Sequence, residues 1–420
     1  MRGMLVGSMF LFIDRPFEVW PMLGDWHIER LYMLLTMAVW CISPKRFEFN
    51  PMHAAVAVFA AAVLLCWGMS PWAESTWPRV EDWFKILVFY VLLVTTVRDE
   101  ADVKFLVTGF VAVMGLYLLH SFREYLGGRH TFRMGIARMI GVDSSLGDPN
   151  SFAASIVVAL PVAKSLWATA SYRVRMLLAG YFALSILCVL LTGSRSGFLA
   201  MGLWLTGIVL MSRRRWLAIA AAVLCAPVAF FALPDSLQNR FETIINPDVG
   251  PANARESGEG RIEGLIKGFE LMGQYPITGV GPGAWRPATK SSIESHSLIG
   301  QIVGEMGLVG VIAFAGLLAA YSTNLRSFRG MPGDDPLIAI ARGLGVGLLL
   351  LLILGLFGHN LFRFTWLWYG GLMALAVMVA RDRVMSGVPD EADAIVESHR
   401  VTVAMQPDDI IELTPTFVIR

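Results

Sequence analysis

At 420 residues, the chain is 55% hydrophobic and only 16% charged, with a mean hydropathy of +0.60. A soluble domain carries about 25% charged residues, so an ordinary soluble enzyme, a secreted disulfide scaffold and a disordered chain are excluded. The 34 basic and 33 acidic side chains nearly cancel, which argues against an electrostatic nucleic-acid binder.

The apolar runs predict an all-α fold, a polytopic membrane helical bundle. A helix needs about 20 mostly apolar residues to cross the hydrocarbon core, fewer with Trp, Tyr or Arg anchors at its ends. About twelve stretches qualify, near 4–20, 28–43, 52–71, 83–97, 104–122, 151–170, 175–193, 196–212, 216–233, 296–321, 337–358 and 364–381. Asp14 and Arg15 interrupt the first, which lacks a small-residue cleavage site and reads as an uncleaved span. The four cysteines, Cys41, Cys66, Cys188 and Cys225, lie inside such runs and read as buried small hydrophobes, not a metal site.

Orientation follows from the short loops. Arg2, Lys45/Arg46, Arg98/Lys104, Arg173/Arg175, Arg213/Arg214/Arg215, Arg326/Arg329 and Arg381/Arg383 recur at every second connection. The positive-inside rule puts these loops and both termini in the cytoplasm. Two long segments, 123–150 and 234–295, then fall on the outer side. The second predicts an amphipathic helix, because Ile262, Leu265, Ile266, Phe269 and Met272 recur at helical spacing. Such a helix lies on the membrane surface or caps a cavity in the bundle. Residues 1–383 form the membrane domain, and 384–420 read as a cytoplasmic, disordered tail.

Polar groups at membrane depth cost about 2.5–3.5 kcal/mol for a central Arg or Asp, so each needs a reason. In chain order, Asp148-Pro149-Asn150 is first. Asp caps the sixth span and Pro takes its first position, which explains most of the motif; Asp148 or Asn150 could also touch substrate. In Thr192-Gly193-Ser194-Arg195-Ser196-Gly197, Ser194 caps the eighth span and Arg195 opens it. That makes an anion pocket suited to phosphate, although an arginine snorkelling to lipid headgroups fits the pattern equally. Arg261 sits at the edge of the amphipathic stripe, where a solvated surface charge is the commoner fate.

His296 stands at the outer start of the tenth span, on a helix face with Gly300, Gly304 and Gly307. A neutral imidazole there can act as a general base; a lone histidine is more often structural. Glu305 falls half a turn from that face and reads as a brace between helices, a proton relay being the minority reading. His359-Asn360 and Arg363 end the eleventh span on the same side, at the cavity rim. Gly279-Val280-Gly281-Pro282-Gly283-Ala284 mimics a dinucleotide motif but lacks a strand–helix unit, and reads as a turn allowing close backbone approach. No metal motif or P-loop appears.

Taken together, Gly260-Arg261, Tyr275-Pro276-Ile277-Thr278-Gly279-Val280-Gly281-Pro282-Gly283, Ser295-His296-Ser297 and Gly304-Glu305-Met306-Gly307 resemble the O-antigen ligase and polymerase superfamily. Gly147-Asp148-Pro149-Asn150 and Thr192-Gly193-Ser194-Arg195 look like its earlier blocks, so the resemblance covers about 140–320. It implies a metal-independent, inverting glycosyltransferase without a cofactor, in the bacterial inner membrane and facing the periplasm. It also implies a donor glycan on undecaprenyl diphosphate and a hydroxyl acceptor on lipid A-core, polysaccharide or protein. By the family pattern Arg195 and Arg261 hold the diphosphate and His296 is catalytic. Ser297 departs from the pattern, where relatives often carry Asn, and leaves the acceptor class open. The rival expectation from another class is a transporter, which should show internal repeats and interrupted helices with binding groups at the midplane.

Overall fold

A computed structural model describes residues 1–133, 136–143, 147–242, 253–291, 294–329, 331 and 335–386. The tail expected at 384–420 lies outside the described residues from 387 onward, as do short parts of both long loops, Ile293 included. The chain divides into a compact unit, 1–378, and a second unit, 379–420, whose described part ends the last helix. The architecture below is that of the first unit.

Its helices in chain order begin with α1 (Arg2–Ile13), α2 (Pro16–Val19), α3 (Pro21–Asp25), α4 (Ile28–Ile42) and α5 (Pro51–Gly68). Next come α6 (Ala73–Thr96), α7 (Glu100–Leu126), α8 (Pro149–Ser165), α9 (Tyr172–Leu191), α10 (Arg195–Met211) and α11 (Arg215–Phe231). The remainder are α12 (Asp235–Glu242), α13 (Asn253–Gln274), α14 (Trp285–Thr289), α15 (Leu298–Arg326), α16 (Pro336–Gly355) and α17 (Phe364–Ser386). One antiparallel hairpin, β1 (Thr131–Arg133) paired with β2 (Ile136–Arg138), is a small exception to the all-α expectation.

Helix starts follow local chemistry. Asn50, Asp99, Asp148, Ser194, Ser297 and Asp335 each accept a bond from a backbone N–H in the first turn of α5, α7, α8, α10, α15 and α16. These caps satisfy donors that a helix start leaves open. Proline follows the cap in α5, α8 and α16, where its missing N–H costs nothing.

Of the twelve expected spans, six are shown among the described residues. Six helices, α5, α7, α9, α15, α16 and the Phe364–Arg383 part of α17, are long and apolar enough to cross a membrane, and α10 is a shorter apolar helix. Helices also stand at the other expected stretches, but the first is cut short. The α1 helix stops at Ile13, and Arg15 turns the chain with a φ of 47° into two short helices. Among the cysteines, Cys66 and Cys188 are buried as expected, but Cys41 is exposed on α4.

Three packed pairs organise the bundle: α5 with α15, α8 with α16, and α13 with α15. Small residues make the last two contacts close. A Cβ on Gly343 of α16 would lie 2.7 Å from the Pro161 carbonyl oxygen of α8. A Cβ on Gly268 of α13 would lie 2.4 Å from the Gly300 carbonyl oxygen of α15. Within a bilayer such seams replace hydrophobic collapse as the source of helix association. A buried reciprocal amide pair, Asn50 with Asn324, ties the start of α5 to the far end of α15 at 3.1 and 3.2 Å.

Two features of this region bear on the expectations. The amphipathic helix exists as α13, yet its apolar stripe is not its buried face: Ile262, Ile266 and Phe269 are exposed, while Gly264, Gly268 and Leu271 are buried. Arg261 is three residues from Gly264 and shares that inner face. Second, α15 starts at Leu298 behind the Ser297 cap, so His296 precedes the helix instead of riding on its glycine face.

Gly307 also leaves helical geometry, with φ 55° and ψ −149°, so α15 is interrupted. Its broken ends are satisfied by the glycine-rich turn. Val280 and Gly281 donate to the Gly304 and Glu305 carbonyl oxygens, both at 2.9 Å, while Leu308 and Val309 donate to Pro276 and Ile277, both at 3.0 Å. A Cβ at Gly279 would lie 2.4 Å from the Glu305 carbonyl carbon, so only glycine allows this approach.

Candidate active site

One wall is the turn between α9 and α10. Gly193 takes a φ of 58°, and Ser194 is fully buried with its Oγ accepting the Gly197 N–H at 3.2 Å. Ser194 is therefore occupied as a cap. Two arginines brace the turn from outside. Arg138 Nε donates to the Thr192 carbonyl oxygen at 2.7 Å and its Nη2 to Asn150 Oδ1 at 3.0 Å, while Arg240 Nε donates to the Gly193 carbonyl oxygen at 2.7 Å. The carbonyls that end α9 are thus tied down, and Arg195 projects from the first position of α10. The positive end of that helix adds to its charge.

The second wall is α13 against α15. A Cβ on Gly264 would lie 3.1 Å from the His296 backbone nitrogen, so the helix carrying Arg261 packs directly on the histidine segment. The Arg261 guanidinium lies over the Phe357 ring, 5.2 Å from its centroid, a cation–π contact. Burial, and after it the charge of Arg195, hold Arg261 below the ordinary arginine range. The charge of Arg195 thus acts on Arg261. Residues far apart in sequence, Arg195, Arg261 and His296, are brought to the same end of the bundle.

The third wall is the loop between α16 and α17. Phe357 meets Arg261, and the His359 ring stands 6.0 Å, centroid to centroid, from the His296 ring. Burial first, then the nearby His296, Arg363 and Arg79, push the His359 imidazole down to about 4, against the opposing charge of Asp148. It is neutral at physiological pH, and among the described residues its buried Nδ1 has no hydrogen-bond partner. Arg363 Nη1 donates to the Ser151 carbonyl oxygen at 3.2 Å and to Ser155 Oγ at 3.0 Å.

Of the remaining expected residues, Asp148 caps α8 by accepting the Ser151 N–H at 2.9 Å, and is exposed. Asn150 accepts from Arg138 and so supports the Arg195 turn. Glu305 is buried, and its Oε2 accepts the Gly283 N–H at 2.9 Å beside Gln301 Nε2 at 3.5 Å. Gln301 Oε1 in turn accepts the Leu361 N–H at 3.2 Å. Glu305 and Gln301 therefore link the glycine-rich turn to the loop bearing His359. Arg138, Arg240 and Gln301 escaped the sequence reading, since each acts on backbone remote in sequence. Among the described residues no group of three His, Cys, Asp or Glu side chains is placed to hold a metal ion.

Chemically, this is a positively charged corner, with two arginines and a helix N-terminus near two imidazole rings. A family model described as O-antigen ligase matches residues 180–315, a stretch that contains Arg195, Arg261, His296 and the interrupted part of α15. No curated protein matches the chain. Six membrane-length helices mark a multi-pass membrane protein, and its residues 180–315 match the O-antigen ligase family model.

Proposed function

We propose that the chain is a membrane glycosyltransferase that moves a glycan from undecaprenyl diphosphate to a hydroxyl acceptor at the periplasmic face. The observation that carries this reading is the packing of the helix that bears Arg261 on the His296 segment, where a Cβ on Gly264 would lie 3.1 Å from the His296 backbone nitrogen. A lipid diphosphate is already an activated leaving group, so neither nucleotide nor ATP is required outside the cytoplasm. Arginine suits it because the planar fork makes two parallel bonds to phosphate oxygens.

In the proposed step the acceptor hydroxyl oxygen attacks the anomeric carbon, and the bond from that carbon to the diphosphate oxygen breaks. His296 takes the hydroxyl proton, and the departing diphosphate keeps the electron pair and remains on the lipid. Arg195, Arg261 and the α10 N-terminus meet the charge as it grows, where electrostatic stabilisation is most effective. General-base help from His296 contributes about 10²–10⁴-fold. Attack opposite the leaving group inverts the anomeric configuration. The recurrence of basic residues on alternate loops supports the outward placement of the site.

The interrupted α15 is the one feature that favours a transporter. Its freed backbone groups, however, bond to the protein's own 276–281 turn. They are not open to a cargo.

The test is transfer by purified protein in lipid, supplied with a lipid-diphosphate glycan and lipid A-core, polysaccharide or peptide acceptors. The wild type should form a glycosylated product, and His296→Ala should lose at least a hundredfold in rate while melting at the same temperature. A His296→Ala rate equal to wild type would remove the histidine from the mechanism.

A further inference from the structure

Arg363 is a cation of this site outside the Arg195–Arg261 pair. It ends the loop that carries Phe357 and His359, and it is fastened to α8 through Ser151 and Ser155 by Nη1 alone. Among the described residues its Nε and Nη2 have no acceptor, and no carboxylate makes an ion pair with it. Asp143 and Asp148 act on it only at longer range. A guanidinium enclosed in protein normally has a carboxylate partner or a bound anion. Ser151 and Ser155 are neutral, so the charge is not cancelled by its own contacts.

Its position indicates which substrate supplies the anion. Arg261 responds to Arg195 and lies on Phe357, whereas Arg363 acts on His359, whose ring faces His296. The donor pair and Arg363 thus approach the histidines from different elements: α10 and α13 for the pair, α8 and the 357–363 loop for Arg363. In-line attack places the acceptor across the reacting carbon from the diphosphate.

We propose that Arg363 is an anion-binding residue of the acceptor subsite, and that the acceptor carries an acidic group, phosphate or carboxylate, near its reacting hydroxyl. This rests on the transferase reading and narrows its substrate class. The free Nε–Nη2 edge matches two oxygens of either group, and a charge-assisted pair of this kind is worth about tenfold to a hundredfold in affinity.

The experiment compares acceptors of one sugar skeleton in neutral, phosphorylated and uronate forms, with wild type, Arg363→Gln and Arg363→Lys. Arg363→Gln should raise KM for the acidic acceptors at least tenfold and leave KM for the neutral acceptor and the donor unchanged. Arg363→Lys, which keeps charge without the fork, should fall between. The phosphate and uronate arms tell which acidic group is read. Equal losses for neutral and acidic acceptors would make Arg363 a structural tie to α8, and a raised donor KM would assign it to the diphosphate; either overturns the proposal. Titration of the acidic saccharides alone, without donor, separates this from the transferase reading. Binding lost in Arg363→Gln would stand even if no transfer were seen, and equal binding in both proteins would not be compatible with the proposal.

Discussion

Gly268→Ala tests whether the α13–α15 seam sets the site. Its Cβ would lie 2.4 Å from the Gly300 carbonyl oxygen and 2.6 Å from its Cα, both backbone atoms that cannot rotate away. Ordinary contact begins near 3.4 Å, so α13 must retreat by about 1 Å. Overpacking costs about 1–3 kcal/mol, while alanine returns up to about 1 kcal/mol of helix propensity. The net loss, at most about 3 kcal/mol, leaves a bundle of this size folded. Arg261 rides on the same face, one turn before Gly264, and retreats with the helix from His296. A displacement of this size costs about a hundredfold in rate when it falls on a group that must be positioned for reaction. Gly273→Ala on the same helix is the control, since nothing lies within 4 Å of its added Cβ. The assay is glycan transfer alongside thermal unfolding, in the same lipid. Wild-type transfer by Gly268→Ala, or an equal loss in Gly273→Ala, would refute the seam as the device that positions Arg261.

Three further outcomes are expected. Arg195→Lys keeps the charge but not the fork, and kcat/KM for the lipid-diphosphate donor should fall tenfold to a hundredfold; an unchanged value would remove Arg195 from the diphosphate. Gly193→Ala places an L-residue at φ 58° with its Cβ 2.9 Å from Leu237 Cδ2, so it should lower unfolding stability by at least about 1–2 kcal/mol and reduce transfer; an unchanged melting temperature would contradict the turn geometry. His359 has a folded value of about 4 against about 6.5 when unfolded, so the unfolded chain binds the proton first as pH falls. Stability is therefore full above pH 6.5 and declines towards pH 4, by at most about 3 kcal/mol, and His359→Gln should flatten that slope in melting curves; parallel slopes would contradict it.

What could be read from the sequence was local. Asp148 and Ser194 cap the helices that their own neighbours begin, because a cap is decided within three or four residues. The glycine-rich turn was legible for the same reason. What it packs against was not: α15 reads as one unbroken apolar run, and the break at Gly307 becomes tolerable only when Pro276 to Gly281 supply its hydrogen bonds. Which way α13 faces was not legible, because an apolar stripe fits the membrane surface and a cavity in the bundle alike. In hydrocarbon that stripe can remain on the outside, and close packing selects the small-residue face with Arg261 beside it. Arg138 and Arg240 were invisible as supports, since each meets the carbonyls of a turn about fifty residues away in sequence. His359 could be placed at the rim by its position after α16, but its nearness to His296 needs the folded chain.

The most direct measurement is the affinity of purified protein for undecaprenyl diphosphate without a glycan, for wild type, Arg195→Gln, Arg261→Gln and His296→Ala in the same membrane lipid. Either arginine variant should bind at least tenfold more weakly, and His296→Ala should bind as the wild type does, because the arginines hold the leaving group and the histidine acts only when a hydroxyl attacks. Equal affinity across all four proteins would contradict a shared diphosphate site.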